Sequence, residues 1–329
     1  MPDKKPLIKP KQATSNPQKK PDANVKIENP SLLDQPVYMM AYPHTWDCAD
    51  PNNDWMWALT PEEIEEDFDK ARQQWGGLYN WLSSESSLVY VLPCSGDYPD
   101  RIYVANVAVV LLHKPKPIVV VANYKSPPRK GEDKAAKTFF ELCEYEVHRP
   151  PTHFEGEADC KHLIDDVYCM AHGIRTEKAT HQWFEKQFGC KVISIEMRDE
   201  RNYHLDTVLC PLTPEKVIAA TTQMSKEEIA QIEKHMEIIP VPKKLEFAGA
   251  TNCVRTVNLL LCDSSLPEHK RGSEDWEEDM EKEKFLEKVA VQNGLEFVPV
   301  NLSEFEKSGA CLSCCVLHMT RAAFSQPVV

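Results

Sequence analysis

The chain has 329 residues and a formal net charge of -13, with 42% hydrophobic and 27% charged side chains, the balance of a soluble globular protein. Nucleic acid and anionic membrane surfaces would repel so acidic a chain, and no apolar stretch approaches the roughly 20 residues of a membrane span. The opening lacks the apolar core of a secretory leader, and twelve cysteines are scattered without a framework spacing; they are expected to be reduced thiols of a cytoplasmic protein.

Residues 1–34 read as a disordered Lys/Pro-rich tail, with Lys4, Lys5, Lys9, Lys11, Lys19, Lys20 and Lys26 outnumbering Asp3, Asp22 and Glu28. Residues 35–329 read as a single catalytic domain. Its first strand is expected near Pro36–Met40. A capping pattern at Thr60-Pro61-Glu62-Glu63 then opens a helix expected to run to Trp75. Strands follow at Leu88–Leu92, Tyr103–Leu112 and Ile118–Ala122, and helices at Lys134–Cys143 and Thr176–Phe188, the latter stopped by Gly189. Lys191–Glu196 reads as a strand and Ser225–His235 as a helix. The charged helix Glu274–Gln292, with Gly294 behind it, feeds a strand at Glu296–Val300. The alternation predicts an α/β protein.

A weak repeat underlies it. A polar residue followed by an apolar strand recurs at Asn106-Val107-Ala108, Glu157-Ala158-Asp159, His204-Leu205-Asp206, Asn252-Cys253-Val254 and Ser313-Cys314-Cys315. The interval is roughly 45 to 60 residues, one supersecondary unit each. Five such units about an axis would gather the polar strand starts at the centre.

Several segments, in order, carry a family resemblance. Pro99-Asp100-Arg101-Ile102-Tyr103-Val104-Ala105-Asn106 is similar to a P-D-x-φ-F-x-A-N segment, and Arg129-Lys130-Gly131-Glu132 to an R-x-G-E turn. Phe154-Glu155-Gly156-Glu157-Ala158-Asp159 resembles F-E-G-x-G-D. His204-Leu205-Asp206-Thr207-Val208-Leu209-Cys210-Pro211-Leu212 fits H-L-D-T-x-L-C-P-L, and the turn after Phe305 leads to Cys314. All belong to the pentein superfamily of guanidine-modifying enzymes, in its dimethylarginine dimethylaminohydrolase and arginine dihydrolase branch. The resemblance implies a pseudo-fivefold α/β propeller acting on a small guanidino substrate.

The resemblance also implies roles. Cys314 would be the nucleophile and His204 the proton shuttle, with Cys315 the neighbouring alternative to Cys314. Glu155 (or Glu157, since the motif holds two glutamates) and Asp206 would partner the guanidinium or the histidine, with Asp159 beside them. Asp100 and Tyr103 would meet the amino-acid end, with Arg129 and Arg175 as carboxylate clamps. Asn106 stands where many penteins carry Asp; the dihydrolase group also carries Asn there, and an amide could position a hydrolytic water. Ala158 and Ala310 replace usual glycines. The chemistry asks for these types independently: a thiolate is a far better nucleophile than water toward a resonance-stabilised cation. A histidine can protonate the leaving amine near neutral pH, carboxylates hold the planar cation, and an arginine fork suits a carboxylate.

The expected activity is hydrolysis of arginine or an N-methylated arginine to citrulline and an amine. The alternatives are dihydrolysis to ornithine, amidino transfer, or arginine binding without catalysis. No cofactor is expected, and no metal, because Cys311-x-x-Cys314 lacks a second ligand pair. The oligomeric state is left open. The other histidines read as surface or core, and Trp46, Trp55, Trp57, Met39 and Met40 as core or pocket wall.

Overall fold

Five three-stranded mixed sheets organise the computed structural model, which describes residues 29–320 except 50, 66, 85, 86, 94 and 95. The first unit contains β1 (Val37–Ala41), α1 (Asp54–Trp57), α2 (Phe68–Ser84) and β2 (Leu88–Leu92). The second holds β3 (Ala108–Val110), β4 (Ile118–Val121), α3 (Asp133–Leu142) and β5 (Glu146–His148). The third comprises β6 (Cys160–Ile164), β7 (Val167–His172), α4 (Lys178–Phe188) and β8 (Lys191–Glu196). In the fourth come β9 (Leu209–Pro211), β10 (Lys216–Ala219), α5 (Lys226–Ile232) and β11 (Glu237–Pro240). The fifth has β12 (Cys253–Arg255), β13 (Leu259–Asp263), α6 (Glu274–Gln292) and β14 (Glu296–Val300). After α7 (Ser303–Glu306), the chain returns as β15 (Leu317–His318) to pair antiparallel with β1, Tyr38 opposite His318.

Each unit therefore has one topology. The first strand runs antiparallel to the middle one, and the middle strand parallel to the third. Antiparallel neighbours need only a short turn, whereas parallel neighbours need the crossover that a helix supplies. Middle strands are mostly buried and apolar, as in Ile118–Val121 and the Leu259–Cys262 part of β13. Third strands alternate, as in Lys191–Glu196. The C-terminal strand completes the first sheet, so the two ends of the described chain meet.

The repeat in the sequence has a structural counterpart. A 3-10 turn leads into the first strand of four units: Val104–Asn106, Gly156–Asp159, Leu205–Thr207 and Leu312–Cys315. Before β12 a turn closes from the Asn252 N–H to the Gly249 carbonyl at 2.9 Å. These turns lie against one another. Leu205 is fully buried among Val208, Leu209, Val217 and Ala219, and a leucine so buried contributes roughly 1.5–3 kcal/mol. It anchors the turn from which His204 and Asp206 project.

Gly156 is needed for the close approach. Its φ is +61°, and a Cβ there would stand 2.5 Å from the Ala105 carbonyl oxygen and 2.6 Å from the Asn106 backbone. Gly156→Ala should lower stability by about 1–3 kcal/mol and separate the Asn106 and Glu155 turns. A melting curve beside a turnover assay checks both effects.

Three expectations are corrected. Residues 29–34 were assigned to the tail, yet Asn29 Nδ2 donates to the Cys143 carbonyl at 2.6 Å and Ser31 Oγ meets Tyr145 Oη at 2.5 Å. The ordered structure thus starts before residue 35, and the expectation for 1–28 lies outside the described residues. The Thr60–Glu63 box forms, with Glu63 Oε2 accepting from Thr60 N–H at 2.8 Å, but it closes an isolated turn. The helix runs from Phe68 to Ser84, because Ala71, Gln74, Leu78 and Leu82 are the side chains that reach the interior. The expected strand Tyr103–Leu112 is a 3-10 turn and the short β3.

Candidate active site

A pocket with an empty volume of about 280 Å³ opens among these turns. Asn52, Asn53, Asp100, Tyr103, Asn106, Arg129, Arg175, Tyr203, His204, Ser308, Ala310 and Cys314 line it. Most residues singled out from the sequence are in that wall. Glu155, Asp159 and Asp206 lie behind it.

His204 enters from the turn before β9. Its Nε2 is 2.8 Å from Glu155 Oε2, and the Asn106 amide comes within 3.2 Å of the same nitrogen. Burial pushes the Glu155 carboxyl up, but the His204 hydrogen bond and the nearby Arg175 charge outweigh it and hold Glu155 at about 2. The anion therefore persists at physiological pH and faces the imidazole Nε2–H. Glu155 Oε1 is buried without a hydrogen-bond partner, with Arg175 Nη1 at 3.8 Å.

The choice between the two glutamates follows from direction. Glu157 turns to another cavity, where it accepts from the His318 N–H at 2.8 Å and pairs with His318 Nδ1 at 2.7 Å and Lys161 at 3.3 Å. Glu155 alone of the pair meets His204.

Cys314 Sγ lies 3.5 Å from Asp206 Oδ2, which also accepts from Ser313 Oγ at 2.7 Å. Asp206 Oδ1 is buried without a hydrogen-bond partner. Burial, then the Asp206 charge, pushes the Cys314 thiol well above its ordinary value. Cys315 points elsewhere: its Sγ is 3.8 Å from the Cys311 carbonyl, within the apolar core of Tyr38, Val254 and Val316.

Other assignments change in character. Arg129 was expected to clamp a substrate carboxylate, but its fork is closed on Glu132, with Nη2 at 2.8 Å and Nε at 3.1 Å. It also donates to the carbonyls of Asp100 and Tyr103. Arg129 thus ties the pocket wall together while still lining it. Arg175 donates to the Asn52 carbonyl at 2.8 Å and lies over the Tyr203 ring at 4.8 Å. Asp100 Oδ2 accepts from Asn52 Nδ2 at 2.6 Å. The Tyr103 hydroxyl is spent between Trp46 Nε1 and the Phe305 carbonyl. Asp159 holds Thr176 Oγ1 at 2.6 Å and the Leu205 N–H at 3.2 Å; burial raises it to about 6 against His204 and Thr176. Its oxygens brace the His204 turn and do not reach the pocket.

Sequence reading missed Asn52, Asn53, Tyr203 and Ser308. The two asparagines come from the α1 loop, where Asn53 caps the helix by accepting from the Met56 N–H. Nothing in their local pattern marks them. Trp46 is core, and Trp57 is exposed and lines a neighbouring surface pocket with Asn52, Asn53 and Arg175. The described cysteines are free thiols. Among the described residues no cluster of three or more His, Cys, Asp and Glu could hold a metal ion, and no helix is long and apolar enough to cross a membrane.

The chain is similar to known proteins over most of its length. The chain is 28% identical over 290 residues to an N(G),N(G)-dimethylarginine dimethylaminohydrolase of Mycobacterium tuberculosis, covering 86% of this chain and 85% of that one. It is 27% identical over 286 residues to the bifunctional arginine dihydrolase/ornithine cyclodeaminase AgrE of a Nostoc species, covering 86% of this chain but 38% of the relative's length. Its fold matches the substrate-bound N-terminal domain of ArgZ, an arginine dihydrolase from the ornithine-ammonia cycle in cyanobacteria. That match has a TM-score of 0.74 at 22% identity, covering 89% of this chain and 100% of the other. The model of the eukaryotic N,N-dimethylarginine dimethylhydrolase family matches residues 36–321. With that span covered, the chain belongs to the eukaryotic N,N-dimethylarginine dimethylhydrolase family.

Proposed function

We propose that the chain is a cysteine hydrolase that acts on the guanidino group of arginine or an N-methylated arginine and releases citrulline and an amine. One observation carries this reading: two buried carboxylate oxygens just behind the pocket wall, Glu155 Oε1 on the His204 side and Asp206 Oδ1 on the thiol side, have no hydrogen-bond partner. Unpaired buried acceptors are costly, and a planar guanidinium would satisfy both with charge-assisted N–H bonds. In this reading the five ββαβ units form a pseudo-fivefold propeller whose axis passes among the polar turns, and the units act as a single catalytic domain.

The chemistry follows from the residues. The bound cation offsets the Asp206 charge and lets Cys314 give up its proton to His204. The thiolate forms a bond to the guanidinium carbon, giving a tetrahedral adduct. His204, oriented by Glu155, protonates the leaving nitrogen, and the C–N bond breaks to leave a cationic S-alkylthiouronium. His204 then takes a proton from water as its oxygen attacks the same carbon. The C–S bond breaks with its electron pair on sulfur, and citrulline departs. Arg175, Asp100 and Asn52 hold the amino-acid end.

A second reading has its own support. Asn106 offers an amide, not a carboxylate, next to His204 Nε2, and relatives of this chain are named arginine dihydrolases. An amide has a donor as well as an acceptor, suited to holding an attacking oxygen through a further hydrolysis to ornithine. Incubation with arginine, monomethylarginine, asymmetric dimethylarginine and agmatine, with products identified by mass, separates the readings. Citrulline plus amine is the expected outcome, and ornithine would move the chain to the dihydrolases. Transfer of the amidino group to an added amine would make it an amidinotransferase, and binding of arginine without product would remove catalysis. If ornithine forms, Asn106→Asp should shift the ratio toward citrulline.

A further inference from the structure

Asn252 opens β12 and is fully buried. Its neighbours fix which end of the amide is which. Oδ1 accepts from the Ser313 N–H at 2.7 Å, so that atom is oxygen. Nδ2 faces the Asp206 carbonyl at 3.4 Å, an acceptor, so that atom is the donor. The same Nδ2 is 3.6 Å from Cys314 Sγ, with Oδ1 at 3.9 Å from the sulfur. One amide therefore grips the turn that carries the thiol and presents an N–H to the sulfur.

We infer that Asn252 is a further catalytic group, an N–H donor that stabilises the Cys314 thiolate, most of all when sulfur leaves the thiouronium. The inference rests on the reading of Cys314 as nucleophile. As a thiol, Cys314 can donate to Asp206 Oδ2 at 3.5 Å; as a thiolate, it faces a like charge at that distance. In the first half-reaction the substrate cation lies against both groups and offsets the repulsion. In the second, water adds to the thiouronium carbon, the C–S bond breaks and the electron pair goes to sulfur. The organic product is then a neutral ureido group, so the screening cation is gone as the thiolate reforms. A donor fixed in the protein persists through that step, and Asn252 is so placed, beside the backbone amide of Cys311. The other titratable groups near the sulfur, Asp206, Cys315, Cys311 and Tyr203, bring no positive charge to the anion, and Asp206 and Cys315 oppose it. A neutral amide gives its hydrogen bond without a counter-charge that would repel a cationic substrate.

The test compares wild type, Asn252→Asp, Asn252→Ser and Cys314→Ser for turnover and for the pH dependence of Cys314 alkylation by iodoacetamide. Asn252→Asp keeps the acceptor for the Ser313 N–H and loses the donor. Asn252→Ser shortens the side chain and replaces the amide N–H held toward the sulfur without adding charge, and reads the same effect if the aspartate does not fold. A hydrogen bond to a charged group lost from the thiolate should lower kcat by about 10- to 100-fold, with KM changed little. The alkaline rise in alkylation should move up by roughly one to two pH units, and the covalent adduct should accumulate during turnover. A folded Asn252 variant with the wild-type kcat and alkylation profile overturns the inference alone. Turnover retained in Cys314→Ser overturns the nucleophile assignment, and this inference with it.

Discussion

Cys314→Ser should abolish turnover, by on the order of 10³-fold or more, while Cys315→Ser keeps most of it. The two thiols are adjacent in sequence and differ in direction. Cys314 lines the pocket 3.5 Å from Asp206, whereas Cys315 does not line it and its Sγ is 3.8 Å from the Cys311 carbonyl. Serine is nearly isosteric, so a melting curve of either variant should stay close to wild type. A hydroxyl ionises far less readily than a thiol, and nothing in the pocket supplies the difference. The thiol itself is poised against premature ionisation. Burial and Asp206 hold its proton on well above the ordinary range, so the thiolate is a small fraction at neutral pH and grows as pH rises toward the folded value. Alkylation of the free protein by neutral iodoacetamide should therefore be slow at neutral pH and accelerate with increasing pH. A cationic haloamidine, which offsets Asp206 when bound, should react faster at the same pH. Loss of activity in Cys315→Ser with retention in Cys314→Ser would reverse the assignment.

His204→Ala should lower kcat/KM by about 10² to 10⁴-fold, the span of removed acid–base help. Glu155→Gln should fall in the same direction but less far, because glutamine still accepts from His204 Nε2–H yet cannot balance an imidazolium. The wild-type kcat/KM profile should be bell-shaped, since one group must be protonated and another ionised. Glu155 does not create the acid limb. It is held at about 2, its charge is lost only as pH falls through that value, and the limb should therefore lie well above it. Steady-state rates across pH for wild type and both variants check this. Near-wild-type turnover in His204→Ala would remove the proton shuttle from the account.

The parts of the fold that sequence made legible have local causes. Glu274–Gln292 carries its own start and stop: Ser273 accepts from the Trp276 N–H, and Gly294 adopts φ +70° beyond its end. Ser225 and Glu228 form a reciprocal capping box at α5. The Thr60 box is as good locally but opens no helix, because the elements packed against Leu78 and Leu82 decide where α2 lies. Tyr103–Leu112 reads as one strand since its residues are apolar, yet Asn106 must turn inward before β3 can start. The site divides in the same way. His204, Asp206 and Cys314 fall within segments of the repeat and Glu155 just before one, where pattern and motif come together. Arg129 could not be judged without knowing that Glu132, three residues on, folds back onto its fork. Asn252 was visible only as a polar residue at a strand start, and its bond to Ser313 spans 61 positions.

The central claim is a covalent intermediate on Cys314. Acid-quenching the protein during turnover of arginine or asymmetric dimethylarginine, then measuring intact mass and mapping peptides, tests it directly. The account predicts a mass increase matching the thiouronium, confined to the peptide holding Cys314 and absent from Cys314→Ser. Rapid turnover with the adduct on another residue, or undiminished turnover in Cys314→Ser, would contradict it.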